Sequence, residues 1–259
     1  MVVKKAEKEQ LPAAIDYGAD AGAGFEGTNK DDFSIPFLSI LQSGSPQCKK
    51  SDGAYIKGAE EGMLFNSVTD EILDGDVGVV VIPCAYQRRM LEWVPKDSGG
   101  GFRGEYLPEE APQVVGRDEK GKDLLANGNN LSDTRSHFVL LEGEEGLSPV
   151  LLSMASTQLK KSKRWMSLMQ AFRHAGQAMP MFARRYRITT IPESNEHGSW
   201  FGWKIVPEGL VTDASHYQQA KDFREAVTAG AVKVERNDDE AGSNTQSENA
   251  EKEPVDPPF

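Results

Sequence analysis

The chain has 259 residues and a net charge of −11, with 38% hydrophobic and 27% charged residues, enough apolar material for one large domain or two small ones. No run approaches the roughly 18 apolar residues of a membrane helix, and Met1-Val2-Val3-Lys4-Lys5 does not open a signal-peptide hydrophobic region. Two cysteines, Cys48 and Cys84, and four scattered histidines exclude a disulfide framework or a standard structural zinc site; free thiols in a reducing cytoplasm are expected.

Residues 1–32 read as a flexible arm rich in Ala, Gly, Asp and Lys. Its Gly22-Ala23-Gly24-Phe25-Glu26-Gly27 matches a dinucleotide fingerprint by chance, because no apolar strand precedes it. A globular domain is predicted from 33 to 230. Ile35–Leu41 is a short apolar segment, Met63–Asn66 a short strand, and the β-branched run within Asp76–Pro83 a buried strand. Pro83 marks a bend before a second strand, Tyr86–Val94. Residues 96–133, with Gly99-Gly100-Gly101 and Asn127-Gly128-Asn129-Asn130, read as a long polar connection.

Strands resume at His137–Leu141 and Val150–Met154. Thr157 to about Met179 is predicted as a helix, because Trp165, Leu168, Met169, Phe172, Gly176 and Met179 fall on one face, and Pro180 ends it. Ala183–Ile191 and Trp200–Val206 form two more strands, and Asp213 N-caps a final helix to about Ala229. Residues 231–259 form a disordered acidic tail. The class is mainly β with helices (α+β). Strands, a helix, then two strands is the order of an OB-fold, a five-stranded barrel with a helix between strands 3 and 4.

Charge distribution is the most informative feature. Residues 237–259 hold seven acids and one lysine, a net of −6, so the rest of the chain carries only −5. Gly146–Pro192, 47 residues, contains no Asp or Glu but eight bases: Lys160, Lys161, Lys163, Arg164, Arg173, Arg184, Arg185 and Arg187. Bases in the first turns of a helix oppose its dipole, which points them at an external anion. Along the strand, Arg184, Tyr186 and Ile188 share one face and Arg185, Arg187 and Thr189 the other. Phe201 and Trp203 are expected in the core with Ile205, leaving Tyr186, Trp200 and Lys204 outside as stacking and phosphate-binding candidates. Tyr86 and Arg88 form a second basic–aromatic pair, able to face nucleic acid or the core. Gly99–Arg103 reads as a plain flexible loop.

The chain closes Glu251-Lys252-Glu253-Pro254-Val255-Asp256-Pro257-Pro258-Phe259. A terminal ring beside a free carboxylate suits an apolar pocket rimmed by Arg or Lys, with the acids steering the encounter. This ending resembles the C-terminal tip of bacterial single-stranded DNA-binding proteins, and podovirus single-stranded DNA-binding proteins likewise end in acids and a Phe. Pro257 stands where the bacterial tip has Ile. The body, with Met63-Leu64-Phe65-Asn66 and Glu92-Trp93-Val94-Pro95, resembles bacteriophage-encoded proteins and not the bacterial body. The resemblance implies partners (polymerase, helicase or recombination proteins) for Asp256, Pro257, Pro258 and Phe259, and a host-cell cytoplasmic location.

Asp70, Glu71, Asp74 and Asp76 lie in a turn where acids serve turn geometry, and no P-loop, nucleophile elbow or metalloprotease motif occurs. The expectation is therefore a non-enzymatic protein without cofactor or metal. It binds single-stranded DNA with little sequence preference during phage replication or recombination, and its tail competes for the groove. Homo-oligomers are compatible with this reading. Strand annealing is the alternative, and a metal-dependent nuclease a weaker one.

Overall fold

The structure, a computed structural model, describes residues 19–20, 22–28, 32–119, 121–196 and 198–236. The acidic tail, with Asp256, Pro257, Pro258 and Phe259, lies outside the described residues. Among the described residues the fold is α+β and mainly β, with antiparallel sheets and two α-helices.

Its spine is one long hairpin of β4 (Val79–Trp93) and β8 (Asn130–Gly143), paired from Val81↔Leu141 to Trp93↔Asn130. Pro83 does not end the strand. The ladder instead shifts register between Pro83 and Ala85, since a bulge accommodates a residue that cannot donate. The spine serves two five-stranded halves. In one, β9 (Gly146–Ala155) pairs with β8, while β12 (Arg184–Asn195) pairs with β4 and with β13 (Gly198–Leu210). Its order β13-β12-β4-β8-β9 contains the 4-1-2-3 arrangement of a Greek key. In the other, β5 (Phe102–Tyr106) adds to β4, and β7 (Asp123–Leu125) to β8, with β6 (Val114–Arg117) beyond it. The predicted polar connection 96–133 thus contains three strands and the start of a fourth. Among the described residues the strands form no closed barrel.

One face of the Greek-key half carries the main core: Val79, Val81, Val139, Val150, Leu152, Met154, Tyr186, Ile188 and Trp203. It is covered by β1 (Leu38–Ile40) and β2 (Leu64–Asn66), which with β3 (Ile72–Leu73) make a small sheet, and by helix α1 (Leu159–Ala171). As expected, Trp203 is buried and Phe201 and Ile205 pack beside it. Gly78, at φ +68°, lets the chain enter β4 close against β12, because a Cβ there would meet the Ile188 carbonyl at 2.2 Å. The opposite face is covered by α2 (Ala214–Thr228) and by the segment before β1: Phe138 and Leu151 pack with Ile35, Phe37, Phe223 and Val227, and Ile82, Cys84 and Leu140 with Ala220. Asp213 caps α2 as predicted, accepting from the backbone N–H of Ser215 (2.7 Å) and His216 (3.2 Å). Val232 and Val234 pack against the same cluster.

α1 is shorter than predicted. It ends at Ala171, and Arg173–His174 (β10) turns back on Gln177–Ala178 (β11) through Ala175 (φ 47°) and Gly176 (φ 79°). A glycine adopts that backbone at little cost, and the turn moves Gly176 and Met179 off the helical stripe. Both cysteines are free; Cys84 is buried, which pushes its thiol up to about 12.

Candidate nucleic-acid interface

α1 is fixed to the sheet by its inward residues. Trp165, 1% exposed, stacks on His137 at 4.6 Å between ring centroids and meets Tyr186 edge-on at 5.7 Å. Ser162 Oγ lies 2.8 Å from His137 Nε2. With those positions inward, 100° per residue turns Lys160, Lys163 and Arg164 outward, and all three are exposed. None has an ion-pair partner among the described residues, and the helix contains no acid. Arg173, in the hairpin after α1, is likewise exposed and unpaired among the described residues.

Lys161 projects from the flank of α1 and is ion-paired with Glu193. The other Glu193 oxygen accepts from Trp200 Nε1 at 3.2 Å, so Trp200, half-buried, stands at the N-terminal end of α1 beside a neutralised lysine. β13 is an edge strand here, and two glutamines seal it. Gln42 Oε1 accepts from Phe201 N–H and its Nε2 donates to Phe201 O, both at 2.9 Å, while Gln158 Oε1 accepts from Trp203 N–H at 3.0 Å. Capping exposed edge donors in this way blocks further strand addition.

The eight bases of the acid-free window do not share one surface, because β12 divides its arginines between the two faces of the sheet. Tyr186 and Ile188 face the α1 core, so alternation turns Arg185 and Arg187 to the α2 side. There Arg185 pairs with Glu142 at 3.1 Å, and Arg187 holds Glu208 in a fork at 3.0 and 2.6 Å. Hydrogen bonding to Glu208 raises the Arg187 pKa, and the Glu208 carboxyl is lowered in return. Tyr186, expected outside, is fully buried, and burial raises its phenol pKa; it offers no stacking surface. Arg184 lies on the α1 side, its guanidinium 4.9 Å from the Phe172 ring centroid, a cation–π distance. Lys204, opposite Thr189, is exposed on the Arg187 face.

Tyr86 and Arg88 lie on the α1 side of the β4–β8 spine. Tyr86, half-buried, is opposite His137 with ring centroids 5.1 Å apart. Arg88 grips both oxygens of Asp133, at 2.9 and 2.8 Å, and that hydrogen bonding raises its pKa. Farther out, the Glu92 carboxylate is 3% exposed. Burial opposes its charge, but donation from Tyr106, Asn129 and Asn127 outweighs this and holds its pKa below the usual value. Glu92 thus joins β4, β5 and the β7–β8 turn. Phe102, read as part of a flexible loop, starts β5 and packs edge-on against Trp93 at 5.5 Å.

A family model for Pam3 phage gp34-like proteins matches residues 5–233. The chain belongs to that family. The match places this gp34-like protein among phage proteins and spans both helices and every strand of the fold. No curated protein and no solved structure matches it. Among the described residues of the gp34-like protein, no helix is long and apolar enough to cross a membrane, and no group of three or more His, Cys, Asp or Glu is placed to hold a metal ion.

Of the thirteen residues singled out from the sequence of this gp34-like protein, the fold places Lys160, Lys161, Lys163, Arg164, Arg173, Arg184 and Trp200 on or beside α1, and Tyr86 and Arg88 on the same side of the β4–β8 spine. It sends Arg185, Arg187 and Lys204 to the far side and buries Tyr186. Arg135, outside the acid-free window, is a further cation on the α1 side of the spine that was not singled out from the sequence. The pairing of β4 with β8, which only the fold supplies, sets it opposite Arg88.

Proposed function

We propose that this phage protein binds single-stranded DNA with little sequence preference, through the outer face of α1 and the adjoining face of the β4–β8 spine, during phage DNA replication or recombination. The observation that carries the reading is the exposed, acid-free helix face Lys160, Lys163 and Arg164, left without counter-charges among the described residues in a chain whose net charge is −11. A cation row on one helix face neutralises successive phosphates without reading bases, and Tyr86 and Trp200 flank it as partly open rings on which bases can stack.

Strand connectivity supports the same reading. β4, β8, β9, α1, β12 and β13 follow the order of an OB-fold-like Greek key with its helix between the third and fourth strands, opened rather than closed, and OB-folds are oligonucleotide binders. The protein acts by binding rather than catalysis. Its tail recruits replication or recombination proteins through Asp256–Phe259 and competes with DNA for the helix face. Arg236, the last described residue, donates to Ser136 Oγ at 3.3 Å on the α2 side of the sheet. The 23 residues beyond it can span roughly 75–80 Å when extended, enough to reach around to α1.

The deciding experiment is a gel shift of the full chain with single-stranded DNA, duplex DNA and RNA at several salt concentrations. Preference for single-stranded DNA, weakening by a log–log slope of about −0.7 per phosphate neutralised, is the expected result. No retardation of any oligonucleotide in dilute buffer rejects the proposal.

A further inference from the structure

Arg135 lies on β8 directly opposite Arg88 on β4, and both side chains face the α1 side of the spine. Like charges in direct register repel, and among the described residues a single carboxylate, Asp133, is at hand for the two. Asp133 gives both oxygens to Arg88. Its nearest approach to Arg135 is 3.7 Å, beyond hydrogen-bond range. Arg135 is nevertheless 8% exposed, with a buried Nε that has no partner. A guanidinium carries five N–H donors and cannot shed its charge, so burying it without hydrogen bonds is costly. The neighbours do not relieve it. His137, two residues along on the same face, faces Ser162 and is held neutral by its burial, with Arg135 adding to that effect. Met154, opposite on β9, is apolar. The pair of arginines therefore keeps one uncompensated positive charge, and it opens to solvent through Arg88, whose side chain is 45% exposed.

We infer that Arg135 and Arg88 together form an anion site that takes one phosphate of a bound single strand, with Tyr86 stacking on the adjoining base. The inference rests on the single-strand reading above and adds to it a fixed anchoring point away from the helix. Planar guanidinium forks match the spacing of two phosphate oxygens. A phosphate here supplies the acceptors that Arg135 lacks and shares Arg88 with Asp133. The half-buried ring of Tyr86, next on the same face, lies where a nucleotide's base follows its phosphate.

The test measures binding of a fluorescent oligothymidylate to the full chain across a salt series, for the wild type, Arg135→Met and Asp133→Asn, with urea unfolding of each. Arg135→Met should unfold at an equal or higher urea concentration, because an apolar side chain of similar length replaces an unsatisfied charge. It should bind about tenfold more weakly, and its log–log salt slope should be shallower by about 0.7. Asp133→Asn should bind more tightly, since it removes the carboxylate charge that occupies the Arg88 fork and lies 3.7 Å from Arg135. Wild-type affinity and slope in Arg135→Met, or weaker binding by Asp133→Asn, overturns the inference. A structural role for Arg135 would instead lower stability and leave the slope unchanged, which also overturns it. If the wild type itself ignores the oligonucleotide, the parent reading fails, a result distinct from an arginine variant that binds normally.

Discussion

Ser162 Oγ and His137 Nε2 lie 2.8 Å apart inside the core, the one on α1 and the other on β8, under the stacked ring of Trp165. Burial holds His137 neutral, with its pKa lowered from 6.5 to about 3 and Arg135 adding to the shift. The unfolded chain takes up a proton below about pH 6.5 that the folded chain refuses until about pH 3. This group's contribution to stability is therefore complete above pH 6.5 and falls by roughly 1.4 kcal/mol per pH unit as the pH drops through that window. A His137→Gln variant should be less stable than wild type at pH 7 and should lose less on acidification. Urea midpoints at pH 7 and pH 4.5 measure this, and a gap that stays the same at both values would show that His137 does not titrate across the window.

The two cation sets should separate in binding. Substituting Lys160, Lys163 and Arg164 together by Ala should weaken single-stranded DNA binding and make the salt slope shallower by up to about 2, near 0.7 for each phosphate left without its cation. The pair Arg185→Ala and Arg187→Ala should leave the slope unchanged, because both arginines already carry carboxylate partners on the far side of the sheet. Fluorescence titrations at several salt concentrations decide it. A slope that follows the β12 arginines instead would move the interface to the α2 side.

The sealed edge of β13 makes a local prediction. Gln158→Ala leaves the buried Trp203 N–H without its acceptor, at a cost of about 1–3 kcal/mol. Amide hydrogen exchange at Trp203 should accelerate and the urea midpoint should fall. Gln42→Ala should do the same at Phe201, where the glutamine both donates and accepts. Unaltered exchange at both amides would mean that the edge is protected by other means.

Deleting residues 237–259 removes a net charge of −6. The truncated chain should bind single-stranded DNA more tightly at low salt, and the advantage should fade as screening shortens the reach of the tail charges. Affinity equal to or below that of the full chain at low salt would refute competition by the tail.

Periodicity, turn chemistry and composition were enough to reveal much of this protein. The β-branched run at Val79–Ile82, the N-cap at Asp213, the inward Trp203 and the acid-free window from Gly146 to Pro192 were all legible, because each depends on residues a few positions apart. The predicted polar connection concealed β5, β6 and β7, whose short segments become strands only by pairing with or beside the long spine. The helical stripe ran on to Met179 in the sequence, whereas the Ala175–Gly176 turn folded its end into a hairpin. Charge was the least local property of all. Glu193, Glu142 and Glu208 enter from outside the window to neutralise Lys161, Arg185 and Arg187, and strand register alone sets Arg135 against Arg88. Sequence by itself determined where the cations are concentrated along the chain. Tertiary structure decided which of them keep their charge uncompensated, because Coulomb interactions fall with distance in space and chain separation does not measure that distance.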